Sequence, residues 1–295
     1  MNLRKDHFGY LQRKYFTLVE PVLSDAAYAN MLLSRWFGRG NISNPKTFNE
    51  KIQWLKVFHR NLGYVKLADK YAVRNFVKEK IGNEFLNELI GVWDSPFELD
   101  WTALPVQFAL KCTHGSGMNL LIRDKFSVDQ VEINKQLSCW LLMDYSKLGR
   151  EWVYKDIPRR IIAERFLTDY DGQIPKDYKI FCFNGVPRYI QVDVDRFEKH
   201  RRAFFDTSWK KQPFCLYCES YNNDLPKPKY LDVMLDAAQT LSENMPFVRV
   251  DFYAIPQVIF GEMTFFPGNG TENFYPSEWD LLLGDMLVLP QISTR

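Results

Sequence analysis

The segment RVDFYAIPQVIFGEMTFFPGNG, residues 249–270, reads as two β-strands joined by a turn at Pro256-Gln257. A turn centred on that dipeptide pairs the two strands so that Asp251 lies opposite Glu262. Facing positions of an antiparallel pair lie about 5 Å apart, and two carboxylates at that distance repel each other. The pairing therefore predicts a positive group between the two acids; the alternative is that both acids lie on a hydrated sheet edge.

A divalent cation is the positive group that suits these carboxylates best. The same register places Arg249 opposite Thr264, and the alternation of side chains along a strand puts all four residues on one face. Mg²⁺ in proteins is usually bound by one or two carboxylates together with substrate phosphates. The hairpin therefore indicates an enzyme that uses a nucleotide.

The composition is that of a folded protein with no preference for nucleic acid. The chain has 295 residues, of which 46% are hydrophobic and 25% charged, so it can bury a substantial core in one large domain or two closely packed ones. Its net charge is +2, from 38 basic and 36 acidic residues. Binding to a phosphate backbone needs a marked basic excess. Nucleic acid is therefore not an expected partner.

The cysteines and the apolar segments favour a soluble protein of the cytoplasm. Five scattered cysteines suit a reducing compartment better than a disulfide framework. Cys215 and Cys218 form a single CxxC motif, which is an ordinary loop unless two further ligands complete a zinc site. No apolar run of the length of a membrane span occurs. Residues 8–22 predict a basic amphipathic helix that either packs on its own domain or contacts a membrane surface.

Local sequence patterns predict an α+β fold with antiparallel sheets. Residues 1–66 are predicted to be mostly helical, with a capping box at TFNE (47–50) that begins one of the helices. Asn184-Gly185 predicts a tight hairpin turn. Further helices are predicted at 69–81, 128–145 and 230–244. Strands are predicted at VQFALKC (106–112), RIIAERFL (160–167), YKIFCF (178–183), VPRYIQVDV (186–194), RAFFD (202–206) and in the final hairpin.

The loop CTHGSGMN follows a predicted strand that ends at Lys111. Gly115 and Gly117 flank Ser116, and glycines allow backbone N–H groups to approach a phosphate closely. The loop matches neither the Walker A motif nor the dinucleotide fingerprint, and taken alone it is explained equally well as a plain hairpin turn. Lys111, a further lysine at Lys179 and the acidic hairpin together favour phosphate binding.

The order of these parts resembles the ATP-grasp superfamily. The shared features are Asp69-Lys70 at a helix start, a strand lysine before a glycine-containing loop, an acidic strand IIAERFL, and R-x-D followed by E-x-x in the hairpin. KCTHGSGMN, DYKIFCFNG and the run from RVDFY to FGEMTFFPGNG are more closely similar to the TupA-like ATP-grasp proteins of polysaccharide and teichuronopeptide biosynthesis. The likeness covers roughly residues 45–285, and its motifs are specific in combination.

The resemblance implies two α+β lobes that grip ATP, at 67–167 and 168–295, after a helical N-terminal region at 1–66. It assigns Lys70 and Lys111 to the ATP phosphates, and it assigns Asp177 to the ribose hydroxyls. The loop expected to fold over the phosphates consists of His114, Gly115, Ser116 and Gly117. The segment expected to bind adenine consists of Glu164, Arg165, Phe166 and Leu167.

The resemblance also implies how the hairpin would act. Asp251 and Glu262 would ligate Mg²⁺, and Arg249 would stabilise the tetrahedral transition state. Thr264 occupies the position at which many ATP-grasp ligases have an asparagine that binds metal. It is therefore a third candidate ligand, and a second metal site stays open.

The implied activity is that of an ATP-dependent ligase, which phosphorylates a carboxylate and transfers the acyl group to an amine. The family context points to surface (capsular) polysaccharide, with a carboxylated sugar or sugar nucleotide and an amino acid or small amine as substrates. The alternatives are a sugar kinase or other phosphotransferase, a glycosyltransferase, and a non-catalytic ATP-binding subunit. Basic candidates near the cleft include Arg188, which is predicted to face Phe181 across the Asn184-Gly185 hairpin. A second candidate is the cluster Lys199, His200, Arg201 and Arg202, which is either a hydrated charge run or a mobile loop that binds phosphate or sugar.

His114 is the histidine that invites a catalytic role. The chain has four histidines and no serine or cysteine nucleophile motif, which argues against a catalytic triad. His114 is therefore expected to be a phosphate-loop or packing residue.

Overall fold

The computed structural model describes residues 22–38, 40–194, 201–216, 219–221 and 223–291. The predicted helix at 8–22, apart from its last residue, lies outside the described residues, as do Lys199, His200 and Cys218. The α-helices of the described ranges are α1 (Asp25–Phe37), α2 (Phe48–Phe58), α3 (Gly63–Ala68), α4 (Val73–Ile81), α5 (Gln130–Leu142), α6 (Leu231–Leu241) and α7 (Glu278–Met286).

Two larger sheets, which are mostly antiparallel, organise the chain. The four-stranded sheet has the order β1-β4-β2-β3 and consists of β1 (Leu89–Trp93), β2 (Phe108–Cys112), β3 (Asn119–Ile122) and β4 (Ile161–Arg165). The six-stranded sheet has the order β11-β10-β5-β6-β7-β9 and consists of β5 (Asp177–Phe183), β6 (Val186–Val194), β7 (Arg201–Asp206), β9 (Glu219–Ser220), β10 (Phe247–Ala254) and β11 (Val258–Thr264). A short pair consists of β8 (Cys215–Leu216) and β12 (Phe274–Tyr275). The predicted α+β fold class is confirmed.

Each larger sheet has its own apolar core. Phe108, Leu137 and Ile161 belong to the cluster of the four-stranded sheet. The cluster of the six-stranded sheet also includes Phe48 from α2 and Val73 from α4. Helices on both sides of residue 66 therefore pack with the six-stranded sheet, and the predicted division of the chain at 66 and 167 stays a prediction.

Helix α2 begins at the predicted capping box. The Thr47 hydroxyl accepts a hydrogen bond from the Glu50 N–H, and the Glu50 carboxylate accepts one from the Thr47 N–H at 3.1 Å. Two N–H groups that have no partner within the helix are satisfied in this way. The apolar side of the helix, with Phe48, Ile52 and Leu55, is buried in the core.

The predicted helix over 69–81 is wrong at its start. Asp69 follows the end of α3, and α4 begins only at Val73. The Asp69 carboxylate accepts hydrogen bonds from the N–H groups of Tyr71 and Ala72 at 2.8 and 3.2 Å, so the aspartate forms a local turn that competes with helix. Lys70 therefore lies in a turn between two helices, and its own N–H donates to the Thr113 carbonyl.

The acidic hairpin has the predicted pairing near Asp251 but a different turn. Ala254 pairs with Val258, so the turn consists of the three residues 255–257 and is centred on Pro256. The predicted turn was centred between Pro256 and Gln257. A β-bulge after Asp251 then shifts the register by one residue, so that Asp251 pairs with Glu262. Gly261 is the extra residue, and a Cβ there would lie 3.0 Å from the Asp251 carbonyl oxygen. The prediction of facing acids is confirmed because the bulge compensates for the shorter turn.

Helix α7 packs closely against the start of α2 at Gly284. A methyl group at Gly284 would lie 2.1 Å from the Lys46 carbonyl oxygen and 2.9 Å from the Phe48 nitrogen. We therefore expect Gly284→Ala to lower the free energy of unfolding by about 1–3 kcal/mol, as overpacking of a core does. Urea denaturation would measure the change. Asp285→Ala, at the exposed neighbouring position, is the control, and an equal effect of both variants would contradict the packing explanation.

No helix in the described ranges is both long enough and apolar enough to cross a membrane.

Candidate active site

Lys179 lies at the centre of a group of carboxylates on one face of the six-stranded sheet. Its ammonium is 3.1 Å from both Asp177 and Asp251 and 3.7 Å from Asp193. Burial alone would lower the pKa of Lys179, but the charges of Asp251 and Asp177 raise it above its ordinary value. Lys179 and Asp177 are thus both buried in an ion network, and direct contact of either with a nucleotide would need these pairs to rearrange.

Arg249 is the positive group between the facing acids. Its guanidinium donates two hydrogen bonds of 2.7 Å to the Asp251 carboxylate, lies 3.6 Å from Glu262, and donates to the Thr264 hydroxyl at 3.1 Å. Paired hydrogen bonds of this kind fix a guanidinium both in position and in orientation. Although burial opposes it, the charge of Asp251 raises the pKa of Arg249. Arg249 therefore contacts each of the other three residues predicted to share this face.

Glu262 is the accessible carboxylate of the pair. Its side chain is 33% exposed, compared with 5% for Asp251. Burial would raise the pKa of Glu262, but the charges of Lys70 and Arg249 outweigh that effect and lower it to about 2. Glu262 is therefore ionised at any physiological pH.

The loop after β2 meets the hairpin through Lys70. The Lys70 ammonium donates to the Gly115 carbonyl at 2.7 Å and lies 3.3 Å from Glu262. A Cβ at Gly115 would lie 2.8 Å from the Tyr145 ring, so this position has no space for a side chain. Gly117 has a φ of +74°, which favours glycine, and its surroundings are open. Ser116 and Gly117 are exposed at the tip of the loop.

The His114 side chain points away from the exposed tip of the loop. It is buried, and one ring nitrogen lies 3.1 Å from the Trp140 carbonyl oxygen. Burial lowers the pKa of His114. Its side chain is therefore packed inside the protein, and its role as a phosphate-loop or packing residue stays a prediction.

Lys111 is held by the carboxylate of Glu164, a residue that the family resemblance assigns to adenine. Glu164 accepts a hydrogen bond from Lys111 at 2.7 Å and one from Arg74 at 2.9 Å, through different oxygen atoms. Burial would lower the pKa of Lys111, but the charge of Glu164 raises it. Arg74 could not be identified from local sequence patterns, because its pairing joins residues that are 90 positions apart in the chain.

The segment after β4 is partly engaged as well. The Arg165 N–H donates to the Glu88 carbonyl at 3.0 Å, and the Arg165 carbonyl accepts from the Asn87 side chain at 2.9 Å. Phe166 is half-buried beneath the Arg123 guanidinium, which lies 5.5 Å from its ring centre. Of the predicted adenine segment, the part beyond Arg165 is the part that remains available to a base.

The predicted basic candidates are separated by the structure. Arg202 donates to Asp193 at 3.0 Å and to Glu272 at 3.1 Å, and so extends the network of Lys179. Arg188 was predicted to face Phe181, which is wrong, because a bulge in the β5–β6 pair places Tyr189 there and leaves Arg188 exposed.

The donor set suits magnesium held jointly with a nucleotide. Within the described ranges, no group of three or more potential ligands forms a ready metal site. Both oxygens of Asp251 accept from Arg249, and the Thr264 hydroxyl does so too. Two facing acids, of which Glu262 is ionised and partly exposed, nevertheless match the one or two carboxylates that Mg²⁺ uses beside phosphates. The residues therefore fit a site that the nucleotide completes.

A mixed fold in which a glycine-containing loop meets an acidic hairpin through Lys70 fits the ATP-grasp class. The chain belongs to the TupA-like ATPgrasp family, whose model matches residues 50–288. The predicted family is therefore confirmed. A search of curated proteins found no match.

Several solved structures are similar to this chain. The ligase PsnB with a minimal precursor is 10% identical, with a TM-score of 0.41 over 76% of this chain and 60% of that chain. D-alanine–D-alanine ligase from Bacillus anthracis is 14% identical, with a TM-score of 0.37 over 75% and 66%. N5-carboxyaminoimidazole synthase from Aspergillus clavatus, complexed with ADP and 5-aminoimidazole ribonucleotide, is 12% identical, with a TM-score of 0.42 over 77% and 52%. The chain spans about half to two thirds of the length of these proteins.

Proposed function

We propose that this protein is an ATP-dependent ligase that forms an amide through an acylphosphate. The observation that carries the proposal is the position of Lys70, which contacts both the Gly115 carbonyl and Glu262. One cation thus lies between a loop suited to phosphate and a carboxylate suited to magnesium. Phosphoryl transfer depends mainly on positioning and on neutralising charge, which such an arrangement supplies.

The individual residues divide these tasks. Lys70 and Lys111 bind phosphate oxygens, and Arg249 stabilises the oxyanion that develops when the amine attacks the acylphosphate. Glu262 and Asp251 would hold magnesium, whose chemistry is to neutralise phosphate charge during transfer. When nucleotide binds, Lys70 exchanges its contact with Glu262 for a contact with phosphate.

Glu164 acts mainly by positioning Lys111, and the backbone beyond Arg165 binds adenine. Both oxygens of Glu164 are engaged by cations, which supports this division. We expect Glu164→Gln to weaken ATP binding about tenfold, since a hydrogen bond to a charged group contributes about 1.5–3 kcal/mol. Adenosine binding should change much less, because it has no phosphates for Lys111 to contact.

Isothermal titration with ATP and adenosine measures both effects. Glu88→Gln is the control, because Glu88 is an exposed carboxylate at the edge of the same segment. An equal loss for both ligands would contradict the positioning role and support direct reading of adenine by the carboxylate.

The substrates proposed are a carboxylated sugar, such as a uronic acid or its nucleotide derivative, and an amino acid or small amine. The reaction would serve surface polysaccharide biosynthesis in the cytoplasm. The membership of the chain in the TupA-like family supports this assignment.

Hydroxylamine provides the test of reaction type. With ATP, Mg²⁺ and a panel of uronic acids, a ligase that activates a carboxylate yields ADP and a hydroxamate, because hydroxylamine intercepts the acylphosphate. A sugar kinase yields ADP and a stable phosphorylated sugar without hydroxamate. Failure of the wild-type protein to bind ATP at millimolar concentration would overturn the proposal at its first step.

A further inference from the structure

Helix α2 carries a stripe of buried polar side chains that contacts the turn after β11. The Asn49 side chain donates to the Glu272 carbonyl at 3.0 Å, and the Gln53 side chain donates to the Asn269 carbonyl at 2.6 Å. Lys56 completes the stripe and donates to the Asn269 side-chain oxygen. Residues 49, 53 and 56 recur at helical spacing, so they share one face. This face holds the turn that directly follows the acidic hairpin.

Lys56 is an unusual residue in this position. It is 2% exposed, and its ammonium is hydrogen-bonded to neutral oxygens, those of Asn269 and, at 2.8 Å, the Gly149 carbonyl. A buried charge that is hydrogen-bonded only to neutral groups is costly. Burial accordingly lowers the pKa of Lys56 to about 8, against the opposing charge of Glu151. Buried polar groups that lower folding stability in this way are expected at functional sites.

The Lys56 ammonium joins two segments that touch each other. Gly149 has a φ of +65°, and a Cβ there would lie 2.2 Å from the Asn269 side-chain nitrogen. The loop at Gly149 and the turn at Asn269 are therefore in close contact, with Lys56 bonded to both.

Two tyrosines connect the loop at Gly149 to the phosphate loop, which consists of residues 113–118. The Tyr145 and Tyr154 rings pack edge to face, with centroids 4.9 Å apart. Tyr145 supports the backbone of Gly115, which has no space for a Cβ beside that ring. Burial and the charge of Glu151 raise the pKa of Tyr145, and hydrogen bonds with Ser116 oppose the rise. Displacement of the Gly149 loop would therefore reach the phosphate loop.

We propose that Lys56 is a positioning residue that sets the separation between the phosphate loop and the acidic hairpin. On one side it acts through the Gly149 loop and Tyr145. On the other side it acts through Asn269, which follows β11. The purpose of this separation, a matched grip on nucleotide and metal, rests on the proposed function, whereas the mechanical link itself does not.

Hydrogen–deuterium exchange of the full, ligand-free chain tests the link. We expect Lys56→Met to increase amide exchange in both 113–118 and 265–271 by about tenfold, the change that corresponds to the loss of one charge-assisted hydrogen bond. Lys51→Met is the matched control. Lys51 lies on the same helix and also donates to two carbonyls, those of Gly284 and Leu287 on the side of α7, so it should leave both segments unchanged.

Asn269→Gly provides a second variant if Lys56→Met does not fold. It removes the side-chain acceptor while keeping the positive φ of 57° accessible. It should reproduce the joint increase in exchange. Folded variants in which the segment at 113–118 exchanges at the wild-type rate would overturn the proposal.

A binding measurement separates the link from the proposed function. If the link serves the nucleotide, Lys56→Met weakens MgATP binding about tenfold while the Lys51→Met control binds normally. If the wild-type protein binds no MgATP, the proposed function fails while the exchange result still decides the link. Increased exchange together with unchanged MgATP binding would overturn the positioning role.

Discussion

Glu262→Gln should abolish the magnesium-dependent part of ATP binding and reduce turnover at least about 100-fold, because a metal ion stabilises transition-state charge by several kcal/mol. The substitution keeps the shape of the side chain and removes its charge. Glu262 is ionised, with a pKa of about 2, and is the more exposed of the two facing acids. Thermal shift with ATP, measured with and without Mg²⁺, should show a magnesium-dependent increment in the wild type that the variant lacks.

A control variant shows whether the loss is specific to Glu262. Glu243→Gln removes an equally charged carboxylate from an exposed ion pair with Lys80 and should leave the increment intact. A Glu262→Gln protein that retains the full increment would refute the metal assignment.

The difference in stability between the wild type and the Glu262→Gln variant should depend on pH with a definite sign. The folded-state pKa of Glu262 is lowered from 4.5 to about 2, so ionised Glu262 stabilises the wild type at pH above 4.5. That contribution is lost as pH falls from 4.5 to about 2. The difference in stability between wild type and variant should therefore shrink across this window.

Asp251→Asn should mainly affect folding. We expect it to lower the free energy of unfolding by about 3–5 kcal/mol, as happens when one partner of a buried ion pair is removed. Asp251 accepts two hydrogen bonds from Arg249 and one from Lys179, and it is 5% exposed. Asparagine has no charge to balance these two buried cations. Urea denaturation at neutral pH measures the loss.

A double variant distinguishes this explanation from a general packing defect. Arg249→Met combined with Asp251→Asn removes a cation together with its partner, so the loss should be smaller than the sum of the two single losses. A loss below about 1 kcal/mol for Asp251→Asn alone would contradict the assignment, because surface ion pairs contribute that little. We therefore expect the main effect of the Glu262 substitution to be on binding and that of the Asp251 substitution to be on both binding and folding.

Several features of the site could be predicted from local patterns. The alternation of side chains in the hairpin placed Arg249, Asp251 and Glu262 on one face, and the contacts among them confirm it. Helix α2 was predicted from its capping box, a motif that lies within four consecutive residues. The register of the hairpin was predicted less securely. The predicted pairing of Asp251 with Glu262 holds only because a bulge at Gly261 compensates for a turn of unexpected length. In the β5–β6 pair a similar bulge displaced the predicted partner of Phe181.

By itself, the sequence of this protein determined which side chains of the final hairpin share a face, where helix α2 begins, and which family motifs follow one another. Tertiary structure alone decided how each charge is paired: Glu164 with Lys111 and Arg74, and Lys56 with the oxygens of two distant segments. The physical reason is that periodicity and capping depend on neighbours a few residues away, which sets only the direction of a side chain. The partner of a buried charge depends on which elements pack against each other, and that outcome is a property of the whole core.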